Sequence, residues 1–337
     1  MKAVVLVGGE GTRMRPLTET MPKPLIPLID RPFLQHVLDH LARHGVHEVL
    51  LSSSYLEEAF ATFLHERHGD PTVTWIAEAT PLGTGGAIAN AARLLSDTFL
   101  VLNGDILTDL DLTAMVAFHR KRGAVATIAL TSVEDARPFG LVELDASDRV
   151  LAFREKPTEP VSGLVNAGTY VLEPRAIEGI PPGRAVSVER KVFPDLIDRG
   201  APLFGFTSPA YWIDLGTPEK YLRASFDALE GRVRGLSYVA LHVDPSAVVS
   251  LRAHLGRWVV AGPSSKVGDD AEVEDAVLFP GSIIESGAKV RDSIIGPGAV
   301  VAQGAVVEGA VLAEGARVAA GVSSNGARVS AGQILRG

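Results

Sequence analysis

Gly8, Gly9 and Gly11, followed by Arg13, Arg15 and Lys23, are residue types that can hold a polyphosphate. Glycine backbone N–H groups approach phosphate oxygens without interference from a Cβ, and the three cations supply fixed positive charge. The loop follows the apolar run Ala3–Val7, which reads as a buried first strand. It matches neither the Gly-x-Gly-x-x-Gly dinucleotide pattern nor the P-loop pattern. Alone, it also reads as a tight turn beside a solvated basic face. Two carboxylates stand farther along: Asp105, in Asn103-Gly104-Asp105 directly after an apolar run, and Asp214, in Trp212–Gly216. Two carboxylates on rigid neighbours suit Mg²⁺ when phosphate oxygens complete its shell. Taken singly, they read equally well as an Asn-Gly turn and a helix cap.

The elements that must position these residues alternate over the first two-thirds of the chain. The runs 46–51, 98–102 and 124–130 read as buried strands, and Phe33–Arg43 places Phe33, Leu34, Val37, Leu38 and Leu41 on one helical face after Pro32. Strand–helix alternation predicts an α/β, Rossmann-like domain with a mainly parallel sheet, whose ligands bind beyond the carboxyl ends of the strands. The remainder of the chain changes period. Val267, Ile284, Val301, Val318 and Leu335 recur every 17 residues, as do Val273, Val290 and Val307, and Leu278, Ile295, Leu312 and Val329. Three short faces per turn, each with one aliphatic inward, predict a triangular, left-handed parallel β-helix of hexapeptide-like repeats. Val249, Leu255 and Val260 read as an earlier turn with one residue inserted before Val267, and Ser324 is the polar residue in an inward slot. The expected division is a catalytic domain over 1–235, with a linking helix in 217–235, and a β-helix over 236–337.

Composition narrows the function. The chain has 337 residues, a net charge of −8 and no cysteine. Disulfides and thiolate metal sites are excluded, and a cytoplasmic location is expected. A broad basic face for nucleic acid is not expected. No apolar stretch approaches a membrane span, and no signal peptide is read at the N-terminus.

The order of motifs carries a resemblance. Gly8–Thr18, Pro22–Leu28, Pro81–Ile88, Asn103–Asp105, Phe139–Glu143, Glu155-Lys156-Pro157, Asn166-Ala167-Gly168 and Trp212–Pro218 follow one another as in the sugar-1-phosphate nucleotidylyltransferases. The chain resembles most closely the mannose-1-phosphate guanylyltransferases, and its repeat tail is similar to the one many members carry. Met14 in place of the usual Leu and Gly85 in place of a common Ala are departures that leave the core chemistry intact. The resemblance implies an in-line attack of a sugar 1-phosphate on the α-phosphorus of a nucleoside triphosphate, with no protein nucleophile. It implies that Leu6, Gly8, Gly9, Gly11, Thr12, Arg13, Glu78 and Gly83 bind the nucleotide, with Arg13 on the triphosphate and Lys23 near the α-phosphate. Asp105 and Asp214 would hold Mg²⁺. Lys156 would face the sugar phosphate, and Gly140, Glu155 and Asn166 the sugar hydroxyls. A homo-oligomer formed through the β-helix is also implied.

Glu78 bears on the base. A carboxylate accepts two parallel hydrogen bonds from guanine N1–H and its 2-amino group, whereas thymine and uracil offer one ring N–H, so the chemistry leans to GTP. Its plain alternative is a solvated loop acid. Mannose, glucose and heptose 1-phosphates all stay open as the acceptor. Two other functions fit the sequence less well. A β-helix acyltransferase would use a histidine and an extended loop, but no His follows His254 and the 17-residue period leaves no room for an excursion. A non-catalytic nucleotide-sugar-binding subunit would be expected to lose the loop Arg or Lys, and both are present. His36, His40 and His44 read as a surface stripe, Arg120-Lys121-Arg122 as cations at a helix C-terminus, and Arg317 and Arg328 as solvent-facing β-helix positions.

Overall fold

A computed structural model describes residues 1–53 and 57–337. The chain divides into two compact units, each discontinuous in sequence: Met1–Gly9 with Leu34–Trp212, and Glu10–Phe33 with Ile213–Gly337.

The first unit is built on a mainly parallel sheet that has nine strands among the described residues. In chain order these are β1 (Lys2–Leu6), β2 (Glu48–Ser53), β3 (Thr72–Ala77), β4 (Phe99–Asn103), β5 (Ala126–Val133), β6 (Gly140–Leu144), β7 (Val150–Glu155), β8 (Gly163–Leu172) and β9 (Leu203–Thr207). The order is β7-β6-β8-β4-β1-β2-β3, with β5 also on β8 and β9 on β5. β4, β1, β2 and β3 run parallel. Ala3, Val4, Val5, Val49, Leu51, Phe99 and Val101 are fully buried, the continuous apolar reading required of strands covered on both faces. β8 enters antiparallel beside β4, and β6 and β7 form an antiparallel pair at the edge.

Helix α1 (Phe33–Arg43) buries Phe33, Leu34, Val37, Leu38 and Leu41 as its spacing predicts. Pro32 is not in its first turn; it ends the two-residue strand Arg31–Pro32, paired with Pro27–Leu28. The expected histidine stripe is not on the surface. His36 and His40 are only 4% and 6% exposed, because α1 is covered well beyond its aliphatic face. Burial, with the charges of His44 and Arg43, pushes His40 down to about 4 against the opposing pull of the Leu110 backbone and Asp109. The helix Leu112–Arg122 is closed by Gly123 at φ 58°, with Arg120, Lys121 and Arg122 in its last turn, as the dipole argument anticipates.

The C-terminal part of the second unit is a stack of short parallel strands in three sheets, consistent with a left-handed β-helix. One sheet aligns Val249, Val267, Ile284, Val301, Val318 and Leu335, and another Leu255, Val273, Val290, Val307 and Ser324. The third aligns Ala261, Leu278, Ile295, Leu312 and Val329. Val260 was expected in that inward row, but it pairs with Val277 on the outward face, and Ala261 fills the slot. The inserted residue of the first turn therefore lies between Leu255 and Ala261, not before Val267; both candidates are aliphatic, so composition could not separate them. Asp270, Gly287 and Gly304, each followed by an alanine, have left-handed φ, which accounts for Asp or Gly before Ala at these corners; Gly321, before Val322, has it too. The last helix of the chain, Pro218–Leu229, packs on the outward face of the third sheet: Tyr221 meets Phe279 edge-on, and Phe226 stacks on Trp258.

Candidate active site

In the first unit, the candidate residues gather at strand ends. Leu6 ends β1, and its carbonyl accepts from the Gly104 amide at 2.8 Å. A Cβ at Gly104 would fall 2.7 Å from that oxygen, so Asp105 is presented by a turn that admits only glycine. Gly8 and Gly9 lie exposed just beyond Leu6, and Gly9 has open space around it. Asn103 Oδ1 is buried without a hydrogen-bond partner two residues before Asp105. An amide oxygen and a carboxylate two residues apart are both hard oxygen donors, the chemistry that Mg²⁺ takes rather than that of a thiolate- or imidazole-seeking ion.

Glu78, just past β3, accepts from the Ser52 hydroxyl at 2.8 Å and from the Leu82 amide at 3.0 Å. It is therefore not the freely solvated loop acid of the plain alternative. A carboxylate has about four acceptor positions, so about two remain for a ligand. Leu82 leads into the helix Gly83–Ala92, whose glycines press against another segment. The Gly85 and Gly86 amides donate to Val186 O at 2.8 and 3.1 Å, and a Cβ at Gly83 would sit 2.8 Å from that oxygen.

Gly140, Glu155 and Asn166 fall at one end of β6, β7 and β8. Gly140 and Glu155 are register partners, and Val165, next to Asn166, pairs with Leu141. A Cβ at Gly140 would lie 3.0 Å from Glu155 Oε2. Burial, then the neighbouring Glu189, raises the Glu155 carboxyl above its ordinary range, against the pull of Lys156 and Arg190. Asn166 donates to Tyr170 OH at 2.8 Å and accepts from the Gly168 amide at 2.9 Å, leaving one N–H and one lone pair for a ligand. Lys156 has φ 53°, and its amide donates to Phe139 O at 2.9 Å. A left-handed lysine costs on the order of 1 kcal/mol, strain that clusters at functional positions.

In the second unit, Gly11 has φ 61°, and Thr18 Oγ1 donates to its carbonyl at 2.8 Å. A Cβ there would lie 3.0 Å from Thr18 Cγ2 and 3.2 Å from Lys23 Cβ, so Gly11, Thr18 and Lys23 close on one another. Thr12, Arg13 and Arg15 remain exposed. Asp214, 8% exposed, is ion-paired with Lys220 in the first turn of the linking helix. A Cβ at Gly216 would fall 2.6 Å from Asp214 Oδ2 and 3.1 Å from Arg13 Nη2, which brings carboxylate and guanidinium to the same point against that glycine.

The motifs by themselves give no role to Lys220, Gly216, Asn103 or Glu189. Glu189 accepts from Thr84 at 2.7 Å and from Ser187 at 2.6 Å, locking the glycine helix to the segment after Arg184. Nothing local signals that pairing, since Thr84 and Glu189 are 105 residues apart. Lys220 could have been suspected from its place two residues beyond Pro218, where a first-turn cation opposes the helix dipole and so calls for a nearby acid.

The nucleotidyl transferase family pattern matches residues 2–231. The chain belongs to the nucleotidyl transferase family. The GMPPB C-terminal domain pattern matches residues 238–335 of this transferase. It is 42% identical over 296 residues to a mannose-1-phosphate guanylyltransferase of Mycobacterium tuberculosis, covering 84% of this chain and 81% of that one. It is 35% identical to the mannose-1-phosphate guanylyltransferase catalytic subunit beta of Xenopus tropicalis, covering 80% and 74%. A UTP–glucose-1-phosphate uridylyltransferase of Synechocystis is 32% identical, covering 83% and 77%. Among solved structures, HddC from Yersinia pseudotuberculosis complexed with GMP-PN is similar, with TM-score 0.59 and 31% identity, covering 66% of this chain and 97% of that one. Among the described residues, no helix of this transferase is long and apolar enough to cross a membrane.

Proposed function

We propose that this nucleotidyl transferase moves the guanylyl group of GTP to mannose 1-phosphate, giving GDP-mannose and pyrophosphate. The observation that carries the reading is the 42% identity, over 84% of the chain, to a mannose-1-phosphate guanylyltransferase. The two acceptor positions left on Glu78 support guanine. The resemblance to the Synechocystis uridylyltransferase supports glucose 1-phosphate with UTP as a second reading.

In the proposed mechanism, an oxygen of the sugar phosphate attacks the α-phosphorus in line, and pyrophosphate leaves from the opposite side. The protein positions the reactants and neutralises charge. Leu6, Gly8, Gly9, Gly11 and Thr12 line the nucleotide, and Arg13 steadies the triphosphate and the departing pyrophosphate. Lys23 neutralises charge near the α-phosphate, while Glu78 and the Gly83 backbone meet the base. Gly140, Glu155 and Asn166 meet the sugar hydroxyls, and Lys156 its phosphate. Asp105 and Asp214 are proposed as Mg²⁺ ligands. When bound, the ion would screen phosphate charge and hold reacting oxygens in register. We assign residues 1–235 to catalysis and 236–337 to the β-helix, which would also mediate a homo-oligomer in the cytoplasm.

A pyrophosphate-release grid of GTP, UTP, dTTP and ATP against mannose, glucose and heptose 1-phosphates tests the reading. Preferred turnover of GTP with mannose 1-phosphate is expected. GDP-mannose binding without pyrophosphate release would leave only a non-catalytic subunit.

A further inference from the structure

The segment Glu10–Phe33 folds with Ile213–Gly337, and the hydrogen bonds holding it there are specific. The Glu19 carboxylate accepts from Ser330 Oγ at 3.0 Å and from the Ala331 amide at 3.2 Å. Ser330 and Ala331 belong to the last coil of the β-helix, immediately after the strand Arg328–Val329. Tyr221 OH, fully buried, donates to Pro27 O at 2.5 Å, and Tyr238 OH donates to Asp30 at 2.6 Å.

Glu19 is well placed to transmit this anchorage. Its neighbour Thr18, 2% exposed, donates to Gly11 O and packs where Gly11 and Lys23 meet. One residue thus points inward to the glycine turn while the next points outward to the last coil. The same coil grips a second candidate segment. Arg328 donates to Glu219 at 2.8 Å and to Gly309 O at 2.7 Å. Glu219 precedes Lys220, the ion-pair partner of Asp214. Residues 328–331 therefore touch the loop bearing Arg13 and Lys23 through Glu19, and the Asp214–Lys220 pair through Glu219.

We propose that Glu19 and Arg328 are positioning residues: the last β-helix coil sets the geometry of the cationic loop and of the Asp214–Lys220 pair, making the β-helix part of the catalytic architecture. The catalytic consequence rests on the function proposed above; the anchorage itself does not.

The test has two readouts on the full-length protein. Amide hydrogen exchange without substrate is measured over residues 11–26 and 214–222 in wild type, Glu19→Ala, Glu19→Gln, Ser330→Ala and Arg328→Ala. Steady-state kinetics with GTP then give kcat and KM separately. Glu19→Ala is expected to speed exchange over 11–26 and raise the KM for GTP about three- to tenfold, the scale of losing one or two exposed charge-assisted hydrogen bonds. Glu19→Gln keeps an acceptor oxygen and should recover part of both effects. Ser330→Ala should give a smaller change of the same kind, and Arg328→Ala should act on 214–222. Unchanged exchange and KM in Glu19→Ala at wild-type Tm would overturn the proposal. If that variant lost its fold, the milder Gln and Ser330→Ala changes would decide by the same criteria. Faster exchange in a protein whose wild type shows no turnover would sink the proposed function and leave the anchorage standing.

Discussion

Replacing Gly216 with Ala isolates the arrangement around Asp214. The backbone at Gly216 is not in the left-handed region, so alanine brings no conformational penalty there. What it brings is one methyl group, 2.6 Å from Asp214 Oδ2 and 3.1 Å from Arg13 Nη2. The first separation is well inside van der Waals contact, and Lys220 pins the carboxylate that would have to yield. Overpacking of this size costs about 1–3 kcal/mol. If Asp214 and Arg13 act in the transition state, that becomes roughly a five- to 140-fold fall in kcat/KM, at about 1.4 kcal/mol per decade. The assay is continuous pyrophosphate release across a Mg²⁺ titration, with Tm measured in parallel. Activity should fall much further than Tm, and more Mg²⁺ should be needed for half-maximal rate. Gly104→Ala supplies the contrast: its methyl would meet Leu6 O and a Val7 methyl, each at 2.7 Å, so Tm should fall too. A Gly216→Ala enzyme within twofold of wild type at every Mg²⁺ concentration would refute the reasoning.

Asp105→Asn and Asp214→Asn should each remove Mg²⁺-dependent turnover while leaving the circular dichroism spectrum unchanged; near-normal rates would remove those residues as metal ligands. Glu78→Gln should lower kcat/KM for GTP relative to UTP and dTTP by about tenfold, the scale of one well-aligned hydrogen bond to a charged group, and an unaltered ranking would take Glu78 out of base reading. His40 titrates near 4 folded and near 6.5 unfolded, so the unfolded chain binds the extra proton between those values. Its contribution is intact above about pH 6.5 and lost as pH falls towards 4, amounting to about 3 kcal/mol at most. His40→Leu should flatten the pH dependence of the urea midpoint in that window; an identical slope would show that the titration lies elsewhere.

The parts of this protein that were legible in its sequence are those written as a period. Alternating strands and helices declared the mainly parallel sheet, and the 17-residue aliphatic repeat declared the β-helix down to Ser324 as an inward residue. A choice between adjacent aliphatic residues was not legible: Val260 and Ala261 could each fill an inward slot, and the register gives it to Ala261. His36 and His40 looked superficial because histidine is usually exposed, yet helix α1 is covered beyond its aliphatic stripe. The candidate site was legible as motifs but not as wiring. Ser52 with Glu78, Thr84 with Glu189 and Glu19 with Ser330 are 26, 105 and 311 residues apart, and no local pattern announces such pairs.

The division of the chain into interleaved units has a consequence for the order in which the protein can be made. The segment Glu10–Phe33 leaves the ribosome early, but its partners Tyr221, Tyr238 and Ser330 come much later. Roughly 300 residues separate the end of that segment from the final coil, so at about 5–20 residues per second the loop waits some 15–60 s for its full set of contacts. Until then this proline-rich segment lacks the hydrogen bonds that the last coil gives to Glu19. A nascent chain arrested before Arg328 should therefore be cut faster after Arg13 than the released, completed chain, in which Arg13 stays exposed but its segment is held through Glu19. Equal protection before and after release would mean that the loop seats itself without the last coil.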